Sequence, residues 1–270
     1  MRTPLLGCLT LSLSAPLVAQ RPSPESDWMI TVGAMALTTP KYPGSNEYRI
    51  LPFPGFNVTY RERFYLGPSA SGLGFALGAY AIRTSQISVA LELGGQDSRP
   101  ALRADALAGL EDRDAVLTAG AGLTWRAGPI GGSVAVSRGV NDGAGVLGTT
   151  RLWISRNLGR AFLTLGTGVA VADANQMRRE FGVTSGEADR RQELIDSGDP
   201  RLEPDDGSAY QPDAALRHVG VALSLGYPIS RRWSLMGFGG VEWLGNEAAA
   251  SPLVRRREQF LGGIGLWYRL

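Results

Sequence analysis

The sequence predicts an all-β fold, an antiparallel transmembrane β-barrel of about 12 strands, with 10 or 14 strands as the alternatives. Two observations lead to this prediction. Apolar residues alternate with small or polar residues over stretches of about ten residues, and glycine makes up 36 of the 270 residues. That share is about twice the usual value of roughly 7%, and it disfavours helices. An apolar content of 44% also excludes disorder.

Composition excludes several classes of function. The chain has 27 basic and 25 acidic side chains, so it lacks the one-signed basic field of a general nucleic-acid binder. One cysteine and one histidine exclude a disulfide scaffold, a cysteine-rich zinc site and most histidine-dependent catalysis. We therefore expect no cofactor and no nucleic-acid partner.

The N-terminal segment has the pattern of a secretory signal peptide. Arg2 supplies the positive charge, Leu5 to Val18 is apolar, and Ala19 is the expected cleavage site. The apolar stretch is shorter than the about 20 residues of a spanning helix. The sequence thus predicts a signal peptide over 1–19 and one barrel domain over 20–270.

Strict alternation marks the strands. Ile87, Val89 and Leu91 alternate with serine, alanine and glutamate, and the stretches 117–126 and 218–227 repeat the pattern. The second face is mostly Gly, Ala, Ser and Thr, as expected for a barrel lumen whose opposite face meets lipid. The predicted strands are 28–37, 48–60, 64–71, 73–82, 86–95, 114–126, 129–138, 146–155, 161–171, 217–228, 233–243 and 258–270.

The connections between these strands sort by length. The connections at the end of the barrel with the chain termini are short and contain eight arginines and one acidic residue, Glu62. Most of the long connections lie at the opposite end. Short turns inside and long loops outside are typical of outer-membrane barrels. We therefore expect both termini in the periplasm and the long loop 172–216 outside the cell. Its eleven acids outnumber its five arginines.

Aromatic residues on the apolar faces predict two interfacial girdles. Six lie near the end of the barrel that holds the chain termini and the short turns, and one lies near the opposite end. They are Trp28, Tyr60, Trp125, Tyr227, Trp233 and Tyr268, with Trp243 opposite. The alternative is the aromatic core of a secreted sandwich.

Five charged residues fall on the lumen face by register: Glu92, Arg126, Arg151, Glu242 and Arg269. Their mixed signs leave two interpretations open, a pairing network that plugs the barrel or a selectivity filter of a narrow pore.

The long loop carries helix signals of its own. Asp173 can cap a turn that runs to Phe181 and ends at Gly182, and Thr184 with Glu187 has capping-box spacing before a helix to Ile195. The acidic, proline-containing segment after Gly198 lacks the spacing of a calcium-binding EF-hand, so a mobile solvated segment is expected there.

No catalytic arrangement stands out. His218, with Asp213 nearby in sequence, is the sole candidate base, and a histidine at a strand end is usually a surface residue. We therefore expect no enzymatic activity.

The last strand resembles the C-terminal signal by which assembly machinery recognises barrel proteins. One face holds Phe260, Ile264, Leu266, Tyr268 and Leu270. Closure requires this strand to pair with the one at Trp28, because lipid cannot satisfy an open edge.

Five segments, in order, resemble the MipA/OmpV family of MltA-interacting outer-membrane proteins. They begin at Tyr42 (YPGS), Gly109 (GLEDRD), Asp173 (DANQM, then FGVT), Trp233 (WSL) and Ser251 (SPLV). The resemblance implies an outer-membrane barrel without a catalytic residue, whose named member associates with a lytic transglycosylase and a peptidoglycan synthase. Other members are described as porin-like, immunogenic or adhesive. Leu270 departs from the family's usual terminal phenylalanine, and the tail of the long loop is unusually acidic.

Two kinds of function follow as expectations. The first is a non-enzymatic anchor in outer-membrane lipid for peptidoglycan-remodelling enzymes. The second is a narrow porin-like channel, with a surface adhesin as a further alternative.

Overall fold

The computed structural model of the protein describes residues 27–69, 74–96, 98–140 and 144–270. The predicted signal peptide and its cleavage site at Ala19 lie outside the described residues.

Twelve antiparallel strands form a closed barrel, which confirms the predicted fold class. They are β1 (Trp28–Pro40), β2 (Tyr48–Tyr60), β3 (Phe64–Pro68), β4 (Phe75–Arg83), β5 (Ile87–Gln96), β6 (Val116–Ala127), β7 (Ile130–Gly139), β8 (Val146–Leu158), β9 (Ala161–Ala172), β10 (Ala215–Pro228), β11 (Trp233–Leu244) and β12 (Glu258–Arg269).

Each strand pairs with its neighbours in the chain, and β12 closes the barrel on β1. The closing register runs from Thr31 opposite Arg269 to Thr38 opposite Gly262, so the last strand does pair with the strand at Trp28. The joint between β2 and β3 is much shorter, since only Val58, Thr59 and Tyr60 of β2 pair there.

Side chains alternate between an outer and an inner face. Leucine, isoleucine and valine side chains of the outer face, such as Leu91, Val134 and Leu223, are about half exposed. Water would penalise such a continuous apolar surface, whereas hydrocarbon stabilises it. The barrel therefore has the surface of a membrane-spanning domain. In the described part of the chain, no helix combines the length and apolar character needed to cross a membrane.

The lumen is narrowed by aromatic rings that lie across glycines of adjacent strands. The ring of Trp267 covers Gly33 and Gly55, and a Cβ at Gly55 would stand 2.2 Å from that ring. Glycine at these positions thus lets a tryptophan lie flat inside the barrel.

Three α-helices lie in the described parts of the long loops: α1 (Ala174–Phe181), α2 (Ser185–Asp196) and α3 (Asn246–Ala249). Asp173 caps α1 through the N–H of Gln176, and Thr184 and Glu187 form a complete capping box on α2. Both helix starts agree with the sequence prediction.

Some strand ends differ from the prediction: β1 runs to Pro40 instead of 37 and β8 to Leu158 instead of 155. The sequence predicted 64–71, but β3 ends at Pro68, and β4 begins at Phe75 instead of 73. Residues 70–73, predicted as the end of the third strand, a turn at 72 and the start of the fourth strand, lie outside the described residues.

Candidate functional site: the capped lumen and the arginine rim

The predicted lumen charges fall into two groups. Glu92, Arg151 and Glu242 lie on the inner face away from the short turns: Glu92 is opposite Gly78, and Glu242, near the long-loop end of β11, is opposite Gly220. Arg126 and Arg269 share the inner register but lie at the end of the short turns, where Arg126 is exposed. The five residues therefore do not form one ring.

Glu92 is held by hydroxyl groups. The Tyr65 hydroxyl donates a short hydrogen bond to one carboxylate oxygen, and Ser69 Oγ donates to the other at 2.7 Å. The side chain is buried inside the barrel. Such a carboxylate is fixed in place, as expected for a group that supports the barrel.

His218 lies inside the barrel, which corrects the prediction of a surface histidine. It is 4% exposed. Arg217 Nη1 lies 2.6 Å from its Nδ1. Because arginine has no acceptor, Nδ1 must accept and the ring proton sits on Nε2, 3.7 Å from Glu242 Oε1. Asp213, the other half of the catalytic hypothesis, instead pairs with Arg178 at the surface.

Glu180 of α1 joins the helical loop to the barrel wall. Its carboxylate accepts hydrogen bonds at 2.7 Å from Gln176 Nε2 and from Arg217 Nε of β10. Arg99 of the β5–β6 loop donates to the Glu180 carbonyl at 3.0 Å, and burial lowers the pKa of Arg99 to about 10. Three separate segments thus meet at one buried acid.

The long loops pack into a folded body, here called the cap, made of segments 41–47, 98–115, 173–214 and 245–257. One apolar cluster joins Tyr42, Leu107, Val183 and Leu253. A second lies against the strand ends, with Met177 and Phe181 of α1 packed on Leu147 and Leu244. The cap therefore covers the long-loop end of the barrel.

Buried ion pairs hold the cap together. Arg191 is fully buried and donates to the carbonyls of Asp206, Ala106 and Ala108 at 2.7 to 3.0 Å. Asp206 also accepts a short hydrogen bond from Arg255. The segment after Gly198 was predicted to be solvated and mobile. Most of its residues are exposed, but Leu202, Asp206 and Pro212 are buried and pack it into the cap.

Glu187 has a second role besides the capping box. Burial by itself raises its pKa, but the N–H groups of Thr184 and Glu111 and the charge of Arg113 more than compensate, so the pKa is lowered. Arg113 Nη2 lies 3.1 Å from its Oε1. Glu187 thus ties α2 to the β5–β6 loop.

The opposite end of the barrel carries a ring of exposed arginines, here called the arginine rim. Its members are Arg61, Arg63, Arg83, Arg126, Arg156, Arg160, Arg231 and Arg232. Some are anchored locally: Arg61 pairs with Asp27 at 3.0 Å, and Arg232 Nη1 donates to the Tyr268 hydroxyl at 3.0 Å. The rim is thus a positively charged surface around the short-turn end.

The residues predicted as girdles lie on the outer face. Trp28 packs on Tyr60 with ring centroids 4.5 Å apart, and Trp233 packs on Tyr268 at 4.8 Å. Trp125 and Tyr227 share the outer register near the short-turn end, and Trp243 lies at the other end. Their role as membrane anchors stays a prediction.

The predicted assembly signal also shares the outer face of β12. Phe260, Ile264 and Leu270 are about half exposed or more, and Tyr268 lies opposite Val32 of β1.

Sequence reasoning missed the groups that join the cap to the barrel: Glu180, Arg191, Asp206 and Arg217. Each lies in or beside a loop whose packing no local pattern reveals. Among the described residues, no cluster of three or more metal-ligating side chains occurs.

Several barrels of known structure resemble this chain. The NanC porin has 6% identity and a TM-score of 0.44 over 89% of this chain and all of that one. The COG4313 outer membrane channel from Pseudomonas putida F1 has 11% identity and a TM-score of 0.41 over 93% of this chain and 100% of that chain. An anion-selective porin from Comamonas acidovorans has 9% identity and a TM-score of 0.39 over 90% and 98% of the two chains. At this level the similarities carry no argument about function.

No curated protein matches the chain significantly in sequence. One family model, described as "MltA-interacting protein MipA", matches residues 32–270.

Proposed function

This chain belongs to the MltA-interacting protein MipA family and is an outer-membrane β-barrel, and we propose that it is a non-enzymatic anchor for peptidoglycan-remodelling enzymes. The partner named by the family is MltA, a lytic transglycosylase, and a peptidoglycan synthase is the second expected partner. The arginine rim is the surface on which they dock.

The observation that carries this proposal is the contrast between the two ends of the barrel. The long-loop end is closed by the cap. Two apolar clusters and buried ion pairs stabilise the cap against the strand ends. The short-turn end presents exposed guanidinium groups that are free of a folded cover in the described residues. An anchor needs an accessible, charged surface, and charge complementarity steers a partner to it.

A pore is the second candidate function. The burial of the charged and titratable side chains in the lumen argues against it. Glu92, His218 and Glu242 are all less than a tenth exposed, whereas a conducting lumen requires hydrated charges. We expect single-channel recordings in planar bilayers to find no conductance beyond the lipid background. A steady, ion-selective conductance would favour the pore.

The orientation follows from the same proposal, with the termini and the arginine rim in the periplasm. Glu193→Cys on the exposed side of α2 should react with a membrane-impermeant maleimide on intact cells. Arg231→Cys should react after permeabilisation only. The reverse pattern would place the rim outside the cell and exclude the anchor.

The docking test is a binding measurement with the barrel in lipid nanodiscs and a purified lytic transglycosylase of the MltA type. Charge reversal by Arg63→Glu, Arg156→Glu and Arg231→Glu together should weaken binding at least tenfold and remove its dependence on salt. Arg178→Glu, an exposed arginine of the cap, is the matched control and should bind as the unmodified barrel does. Equal binding by both variants would refute docking at the rim.

A further inference from the structure

Two arginines of the rim lie against tyrosines of the outer face. The guanidinium of Arg160, in the β8–β9 turn, lies over the ring of Tyr227, 5.6 Å from its centroid. Arg232, in the β10–β11 turn, donates from Nη1 to the Tyr268 hydroxyl at 3.0 Å. Tyr227 is 41% exposed on the outer face, and Tyr268 is opposite the exposed Val32 of β1. Both guanidinium groups are therefore held on the lipid side of the barrel.

No acidic side chain neutralises these two guanidinium groups. The turns that carry them, 156–160 and 228–232, contain four arginines and no aspartate or glutamate. Arg160 Nη2 donates to two carbonyls of the β10–β11 turn at 3.0 and 3.2 Å, which fixes its position without compensating its charge. Within the described parts of the chain, neither Arg160 nor Arg232 forms an ion pair with an acidic side chain. This sector of the rim thus carries two fixed positive charges.

Both arginines lie at the level of the lipid headgroups. Trp243, the outer-face aromatic near the long-loop end, pairs with Val219, eight residues from Tyr227. At a rise of about 3.4 Å per residue and a tilt of roughly 40°, these positions are about 20 Å apart along the membrane normal. The apolar band of such barrels is about 25 Å tall. Tyr227 therefore marks a border of the hydrocarbon, and the guanidinium groups beside the short turns face the lipid phosphates.

The outer surface between the two arginines is apolar and aromatic. The tyrosines at its edges lie on β10 and β12, which are both neighbours of β11, so they are about 10 Å apart at two strand spacings. The side chains between them are 39% to 50% exposed. This surface, together with Arg160 and Arg232, is here called the lipid patch, and its other members are Leu225, Tyr227, Ile229, Trp233, Leu235 and Tyr268.

The chemistry of the lipid patch favours a phosphate with a net negative charge. A planar guanidinium can contact a ring with its face and still donate hydrogen bonds from its edge. A phosphate accepts such charge-assisted bonds, often in pairs. In phosphatidylcholine the choline ammonium neutralises the phosphate within the headgroup, whereas phosphatidylglycerol keeps a net negative charge. Two uncompensated arginines therefore select the anionic lipid.

We propose that the lipid patch is a binding site for an anionic phospholipid. The phosphate lies between Arg160 and Arg232, and the acyl chains lie on Leu225 and Leu235. The site is independent of the anchor proposal, because the docking test rests on other arginines of the rim.

Two further arginines of the rim supply matched controls. Arg61 lies over the outer-face ring of Tyr60, 5.1 Å from its centroid, but it is paired with Asp27 at 3.0 Å. It has the same contact with a ring, while an acid compensates its charge. Arg231 is exposed and precedes Arg232 in the same turn. Replacing Arg61 and Arg231 thus removes as many positive charges as replacing the two arginines of the lipid patch.

The test is native mass spectrometry of the full barrel in detergent micelles, titrated with dioleoylphosphatidylglycerol or with dioleoylphosphatidylcholine. The first molecule of the anionic lipid should bind at least tenfold more tightly than the first zwitterionic one, because a basic side chain near an anionic lipid surface is worth about fivefold in affinity. Arg160→Gln with Arg232→Gln should reduce this preference to less than threefold. Arg61→Gln with Arg231→Gln should retain it.

Two additions complete the design. Each single substitution, Arg160→Gln or Arg232→Gln, should lower the preference by about threefold to fivefold, which keeps the proposal testable if the double variant does not fold. Heat-modifiable migration on gels verifies folding. Glycerol 3-phosphate has the phosphate but no acyl chains, so it should not displace the lipid at equal concentration.

Equal affinity of the unmodified barrel for the two lipids would overturn the proposal. The same loss of preference in both double variants would also overturn it, because the selectivity would then belong to the overall charge of the rim. Displacement by glycerol 3-phosphate would assign the two arginines to a free phosphate compound instead of a lipid.

Discussion

Replacing Arg191 with methionine should loosen the cap without unfolding the barrel. The methionine retains most of the apolar stem but removes the guanidinium group from a position that is fully buried. Three carbonyl oxygens, of Asp206, Ala106 and Ala108, then lose their donor, while Asp206 keeps its ion pair with Arg255.

The size of the effect follows from those three acceptors. A buried acceptor left without a donor costs about 1–3 kcal/mol, and breaking a buried ion pair from one side costs about 3–5 kcal/mol. Because the lost groups overlap and water can enter, we expect about 3–5 kcal/mol in the free energy of cap opening. At about 1.4 kcal/mol for each factor of ten, amide protection in the cap should fall by about a hundredfold to several thousandfold.

Hydrogen exchange followed by peptide mass spectrometry measures this directly, because it separates local opening from global unfolding. Peptides of α2 and of 98–115 should exchange faster, and strand peptides such as β10 should not change. The matched control is Arg190→Met, one residue away, whose exposed pair with Glu111 is worth about 1 kcal/mol or less. If Arg191→Met exchanges like Arg190→Met, the buried guanidinium does not hold the cap.

Other perturbations test separate parts of the structure. Deleting Tyr268 to Leu270, or replacing Tyr268 with aspartate, should block assembly because it removes the outer-face end of the closing strand, whereas Leu270→Phe should be tolerated; a truncated protein that still migrates as a heat-modifiable barrel would contradict this. Glu92→Gln should lower the melting temperature while conductance stays at background, because its hydroxyl donors lose a charged acceptor; an altered ion selectivity at unchanged melting would argue for a pore. Acidification should also loosen the cap. Since the folded pKa of Glu187 lies below its ordinary value of 4.5, its stabilising contribution is present above that pH and is lost as the pH falls through the folded value. Cap exchange should thus accelerate in acid, and Glu187→Gln should abolish that part of the pH dependence.

The barrel could be predicted from the sequence because apolar residues alternate with small or polar residues along each strand. Lipid on one side and a crowded lumen on the other impose opposite demands on successive residues, as at Leu91 and Glu92. Local capping chemistry likewise predicted α1 and α2, since Asp173 and Thr184 act on backbone groups within three residues.

The cap and the lumen network could not be predicted in the same way. Arg191 bonds to carbonyls 83 and 85 residues away, and Glu180 meets Arg217 and Arg99 from different loops. Single-residue patterns carry no signal for such pairings, so an acidic loop tail was interpreted as solvated.

The β1–β2 loop and the start of β12, which are far apart in the sequence, meet at the cap, and this constrains the order of assembly. Gly44 N–H bonds to Gln259, 215 residues later in the chain, and Gly44 O accepts from Arg255 and Arg256. Contacts of such long sequence separation form late, because the loop entropy must be lost before they stabilise anything. The cap therefore cannot be completed before β12 has reached β1. The contacts between α2 and segment 98–115 need no closing strand, whereas those of Gly44 complete the cap only when the barrel closes.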